Sequence, residues 1–152
     1  MEGRNFTMDS SLESLSNNIL DELFTEGAGY DILRYVSLPE LLGEDAHTML
    51  YFIGKNLARK FTFESIEDII KAFYKLGWGH LDLVKERPKS YTFHLMSDAI
   101  VYRLKAPFKT EFRMESGFLA AAMQQLERTE CECIEKIKNR IHQVELKVIL
   151  TI

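Results

Sequence analysis

Between Leu76 and His80 the hydrophobic period of this chain changes from that of a helix to that of a strand, and that change limits the fold more than any other feature. In SIEDIIKAFYKLG, Ile66, Ile69, Ile70, Phe73 and Leu76 recur every three or four positions, the period of a helix with one buried face. Ser65 and Asp68 have the spacing of a capping box, and Gly77 ends the helix. After the Gly77-Trp78-Gly79 corner the period is two. Leu81 and Leu83 alternate with His80 and Asp82, and Tyr91, Phe93 and Leu95 alternate with Thr92 and His94. That is the pattern of strands with one buried face, so the stretch around Glu86, Arg87 and Pro88 is the turn of a β-hairpin. A turn centred there pairs Leu81 with Phe93, Leu83 with Tyr91, His80 with His94 and Asp82 with Thr92, giving one apolar and one polar face.

The same reading extends in both directions. Leu12, Leu15, Ile19, Leu20 and Leu23 predict an amphipathic helix that Gly27 and Gly29 break, behind a tail over 1–11 read as disordered. Ile32, Leu33 and Val36 form a further stripe, which Pro39 should stop or bend at Leu38. Residues 44–61 read as a strong helix with Leu50, Ile53, Gly54, Leu57 and Phe61 on one face. Ser97 or Asp98 caps a short helix before Pro107. A long helix runs over about 113–127 with Phe112, Leu119, Met123 and Leu126 as its stripe, and CECIEKIK with VELKVILTI makes a second hairpin. The order helices, hairpin, helices, hairpin predicts a single α+β domain over 12–152: a four-stranded antiparallel sheet with helices packed on one face.

Several functions lack support. A net charge of −4 and a pI near 5.6 argue against nucleic acid as the main partner, and Lys55, Arg59 and Lys60 read as a solvated helix face and a favourable helix end. No apolar run of about 18 residues crosses a membrane and no signal peptide opens the chain, so a cytoplasmic protein is expected. There is no GxSxG, GxGxxG or P-loop, and none of His47, His80, His94 and His142 lies in a catalytic string. No catalytic residue and no cofactor are assigned, and the chain is read as a binding protein rather than an enzyme. Cys131 and Cys133 point to one side of a strand and could contribute thiolates to zinc. They share parity with Ile137, however, which makes them small core hydrophobes, and no metal site is assigned. Glu135 falls on the same parity, which that reading leaves unexplained. His80 beside His94 is read as two solvated histidines, with a weak metal site as the alternative.

The run LPELLGEDAHTMLYFIGKNLARKF, the GWG at 77–79 and ESGFLAAAMQQL together resemble the YslB-like family of small Firmicute proteins of unknown function, over about 30–152. More distantly the pattern is similar to the vinyl-reductase-type domain shared with TRAPP subunits and haem-based nitric-oxide sensors. The resemblance implies a fold that holds hydrophobic small molecules or acyl chains, or assembles as dimers. The match has gaps. Cys131 and Cys133 supply half of the cysteine cluster some such domains carry, no haem-ligating histidine can be placed, and the TRAPP acylation cysteine has no counterpart.

Two sets of candidate residues follow. Gly54 and Gly117 sit inside helices, where each costs about 1 kcal/mol relative to Ala, so a neighbouring backbone or a ligand should approach closely. With Trp78, Arg103 and Phe118 they form the expected ligand-binding set for a hydrophobic small molecule; the bland readings are a corner anchor for Trp78 and a stem covering apolar surface for Arg103. The apolar stripes exceed what one sheet face can cover, so a homodimer through Tyr30, Tyr35, Met49, Tyr51 and Phe52 is also expected. The rival is the 12–23 helix folding back over that surface. A homodimer with a filled core and no ligand is the alternative to the ligand-binding reading.

Overall fold

The computed structural model describes residues 27–105 and 109–151. The tail expected over 1–11 and the helix expected over 12–23 lie outside the described residues. The described chain begins with α1 (Ala28–Ile32), a wider π-helical turn (Leu33–Ser37) and α2 (Leu38–Leu42). A 3-10 turn (Gly43–Asp45) leads into α3 (Ala46–Ala58), and α4 (Ile66–Lys75) follows. Strands β1 (His80–Arg87) and β2 (Ser90–Met96) precede α5 (Asp98–Lys105) and α6 (Arg113–Glu127), and β3 (Cys131–Lys138) and β4 (Gln143–Leu150) close the fold. The four strands form one antiparallel sheet in the order β1-β2-β4-β3. The expected α+β class, four-stranded antiparallel sheet and helical layer are therefore present.

The local signals act where they were expected. Ser65 accepts from the Asp68 N–H at the start of α4, while the Asp68 carboxylate reaches back to the Glu64 N–H. Ser97 accepts from the Ile100 N–H and caps α5. At the GWG corner both glycines have positive φ, 77° at Gly77 and 137° at Gly79, which explains two glycines around one anchored tryptophan.

Three expectations need correction. Pro39 does not stop the helix: Leu38 keeps φ −64° and ψ −43°, and its N–H bonds back to the Leu33 carbonyl, one residue further than in an α-helix. A proline ring clashes with the carbonyl four residues before it, and the wider turn moves that carbonyl away. The first hairpin keeps its two faces but shifts by two residues. His80 faces Met96, Leu81 faces Leu95, Asp82 faces His94 and Leu83 faces Phe93, with a bulge at Val84 and a tight turn at Pro88-Lys89. The bulge absorbs one residue of β1, which turn chemistry alone does not reveal. Finally, the buried face of α3 is Leu50, Tyr51, Gly54, Lys55 and Ala58, while Ile53 and Phe61 are about half exposed.

The core lies between sheet and helices. Leu81, Phe93, Leu95, Val144, Leu146, Val148, Leu150, Cys131 and Cys133 form its sheet side. Helix α6 is buried on every side from Glu115 to Met123, because the sheet covers one flank and α3 another. Phe118 is its aromatic centre, with its ring 5.1 Å from Trp78, 5.6 Å from Phe73 and 5.7 Å from Phe63. Helices α3 and α6 cross through Gly54 and Gly117. A Cβ on Gly54 would collide with the Met114 carbonyl and lie 2.9 Å from the Phe118 nitrogen; one on Gly117 would collide with the Tyr51 carbonyl.

Helix α3 also covers the outer edge of β3. Tyr51 accepts from the Cys133 N–H at 2.9 Å and donates to Glu132 at 2.5 Å, and Lys55 pairs with Glu132 at 2.9 Å. A strand edge that would otherwise present bare backbone is thus capped by side chains. Glu135, unexplained by strand parity, pairs with Arg113 at the start of α6 at 3.0 Å.

Candidate functional site

The polar face of the first helical segment turns inward. Of the apolar stripe Ile32, Leu33 and Val36, the first and last are half-buried and Leu33 is 51% exposed, while Asp31, Arg34 and Tyr35 are buried. The reason is an ionic network. Arg34, on the π-helical turn, is 1% exposed, and Glu115, on α6, is 0% exposed. The Arg34 guanidinium donates from Nε and Nη2 to the Glu111 carboxylate at 2.8 and 3.0 Å, and from Nη1 and Nη2 to the Glu115 carboxylate at 2.8 and 2.6 Å. One planar cation thus grips two carboxylates through paired bonds, a geometry that lysine cannot supply. Glu111 also accepts from the Arg113 N–H at 2.6 Å, which ties the network to the first turn of α6.

A second pair stands beside the first. Arg103 on α5 donates from Nε to Asp31 at 3.1 Å, and both side chains are buried. Burial raises the Asp31 carboxyl above its ordinary range, against the opposing pull of Arg103. The two glutamates hold Arg34 firmly protonated against its own desolvation. Burial pushes the Tyr35 phenol upward, so it stays a neutral hydroxyl. Removing several charges from water is costly unless they are paired, and here each charge in the network meets an opposite one.

This network backs a cleft. Among the described residues it is lined by Tyr35, Pro39, Gly43, Ala46, His47, Leu50, Lys109, Thr110 and Glu111, and its volume is about 220 Å³. Tyr35, Pro39, Ala46 and Leu50 make an apolar wall; His47, Lys109 and Thr110 stand at the lip. The wall exists because the π-helical turn carries Tyr35 inward and the Gly43 turn, at φ 66°, brings the first residues of α3 alongside.

None of the five expected ligand residues lines this cleft. Gly54 and Gly117 accommodate each other's helix, Trp78 and Phe118 pack in the aromatic core, and Arg103 is engaged with Asp31. The interface set divides as well: Tyr35 and Tyr51 are buried within the chain, whereas Tyr30, Met49 and Phe52 are at the surface. Cys131 and Cys133 are free thiols on the core face, and burial pushes them up to about 11 and about 12. No group of three or more metal-ligating side chains occurs among the described residues. Asp31, Arg34, Glu111 and Glu115 went unmarked in the sequence. Their signal was spacing: Arg34 and Tyr35 follow Asp31 by three and four positions, and Glu115 follows Glu111 by four.

Residues 27–149 match the model of a family described as "Protein of unknown function (DUF2507)". The chain belongs to this family. The uncharacterized protein YslB of Bacillus subtilis strain 168 is 36% identical over 141 residues, covering 93% of this chain and 95% of its own length. The uncharacterized protein MJ1642 of Methanocaldococcus jannaschii is 23% identical over 143 residues, covering 91% and 83%. The expected YslB-like kinship is thereby shown. Among solved structures, a vinyl-4-reductase family protein from Methanocaldococcus jannaschii aligns with a TM-score of 0.60 over 88% of this chain and 87% of its own, at 16% identity. At that identity the likeness is one of fold, so this DUF2507 chain has a vinyl-4-reductase-like fold. No helix among its described residues is long and apolar enough to cross a membrane.

Proposed function

We propose that this DUF2507 protein is a non-catalytic binding module of the cytoplasm whose small-molecule ligand sits in the cleft between Tyr35, Leu50 and Glu111. The supporting observation is that the cleft is backed by the Arg34–Glu111–Glu115 network, which fixes its wall in advance. A preformed wall loses little conformational entropy on binding, which is why binding sites favour such rigid backing. The sheet side of the helical layer is packed with Phe118, Trp78 and their neighbours, so the ligand belongs in this cleft rather than over the sheet. Native mass spectrometry of protein purified from its own host tests the reading. A co-purifying organic mass that Ala46→Leu removes supports it; a bare chain that no small molecule stabilises counts against it.

A second reading is a homodimer with a filled core and no ligand. Met49, Phe52 and Ile53 on α3 are each more than 40% exposed and lie three and four positions apart, a spacing that gathers them on one side of the helix. Exposed apolar side chains gathered in this way suit an isologous contact. Sedimentation at micromolar concentration separates the readings: a species of twice 17.7 kDa that Phe52→Glu splits supports the dimer.

A further inference from the structure

We infer that the cleft selects a small carboxylate with a single-ring-sized apolar body. The inference rests on the binding reading above and names the chemical class of its ligand. Size is the first argument. An apolar cavity of roughly 150 Å³ holds one benzene. A cleft of about 220 Å³ therefore admits one ring and a short substituent. The cleft is open to solvent, so a tetrapyrrole or a long acyl chain would lie mostly outside its walls.

Hydrogen-bond accounting at the lip gives the second. The carboxylate among the described lining residues, Glu111, already accepts from Arg34 Nε and Nη2 and from the Arg113 N–H, which takes three of its roughly four acceptor sites. The capacity left at the lip belongs to Lys109, a pure donor, and to His47 and Thr110, which can each donate. Arg34 offsets one of the two carboxylate charges beside it, so the trio keeps one negative charge, shared between Glu111 in the cleft wall and the fully buried Glu115, and the positive charge at the lip comes from Lys109. An acceptor-only anionic group complements this lip; an ammonium group meets Lys109 as a like charge. Opposite the lip, the Tyr35 ring, Pro39, Ala46 and Leu50 cover the apolar body of the ligand.

The test is a titration of the full-length protein followed by amide chemical shifts, with benzoate, benzyl alcohol, benzylamine and dodecanoate as probes. Benzoate is expected to shift Tyr35, Ala46, Leu50 and Thr110 and to bind about fivefold more tightly than benzyl alcohol, the effect of one partly exposed charge-assisted contact. Lys109→Gln, at an exposed position, should weaken benzoate to about the level of benzyl alcohol and so erase that preference; Ala46→Leu should weaken both. Benzylamine binding as well as benzoate, or dodecanoate binding far more tightly at other amides, overturns the ligand class. In either case a host-derived ligand that still shifts the cleft amides would leave the binding reading standing. If no probe and no host extract shifts them, both fall.

Discussion

Substituting Gly54 by Ala tests the packing on which the helical layer depends. In an ordinary helix the change would stabilise by about 1 kcal/mol. Here the new Cβ would collide with the Met114 carbonyl and lie 2.9 Å from the Phe118 nitrogen. Carbon contacts are comfortable at about 3.5–4.0 Å, and the obstructing atoms are backbone of a buried helix, so no side chain can turn aside. Helices α3 and α6 must part by roughly 1 Å, which loosens contacts along the crossing. We expect a net loss of about 2–3 kcal/mol, or roughly 5–10 °C in melting temperature for a chain of this size. Gly117→Ala should behave alike, because the contact is reciprocal: each glycine receives the carbonyl three residues before the other. Once the helices have parted for one Cβ there is room for the second, so the double variant should cost less than the sum of the singles by about 1 kcal/mol. Urea unfolding followed by fluorescence of Trp78, the one tryptophan, measures all three, since its ring lies 5.1 Å from Phe118. Single variants that are neutral or stabilised would refute the reasoning.

Other consequences follow from the ionic contacts. Arg34→Met leaves Glu111 and Glu115 buried without their cation and should cost about 3–5 kcal/mol in urea unfolding; adding Glu115→Gln should recover part of that loss. Tyr51→Phe removes the acceptor for the Cys133 N–H and the donor to Glu132, and should destabilise by about 1–3 kcal/mol with faster hydrogen exchange at the Cys133 amide. Although burial pulls the Glu132 carboxyl upward, hydrogen bonds from Tyr51 and Lys55 outweigh it, so its folded pKa lies below its unfolded value. The ionised form therefore contributes stability above the ordinary glutamate pKa, and that contribution disappears as pH falls through the lower folded value. Glu132→Gln should flatten the acid limb of a stability–pH profile. Both cysteine thiols, pushed up by burial to about 11 and about 12, should react with a thiol reagent at pH 8 far more slowly in the native protein than in urea.

The sequence by itself determined those features that rest on local chemistry and on parity. The Ser65 cap, the glycine-flanked corner at Trp78, the span of α6 and the two faces of each hairpin depend on neighbours in the chain, and they stand as the periodicity indicated. Parity likewise put Cys131 and Cys133 on the core face, and the glycines in two helices foretold a close backbone approach. Tertiary structure decided everything that pairs residues distant in sequence. Arg34 and Glu115 are 81 positions apart, and Arg103 and Asp31 are 72 apart, so nothing local announces that four charged side chains are buried together. A hydrophobic count therefore misplaced part of the first described helical segment: Asp31 and Arg34 are buried against partners on α5 and α6, Leu33 is exposed, and Ile32 and Val36 are half-buried. The same is true of the cleft. Its wall comes from the π-helical turn, α2 and α3, and its far side from residues 109–111, brought together by an ionic network that only the folded chain completes.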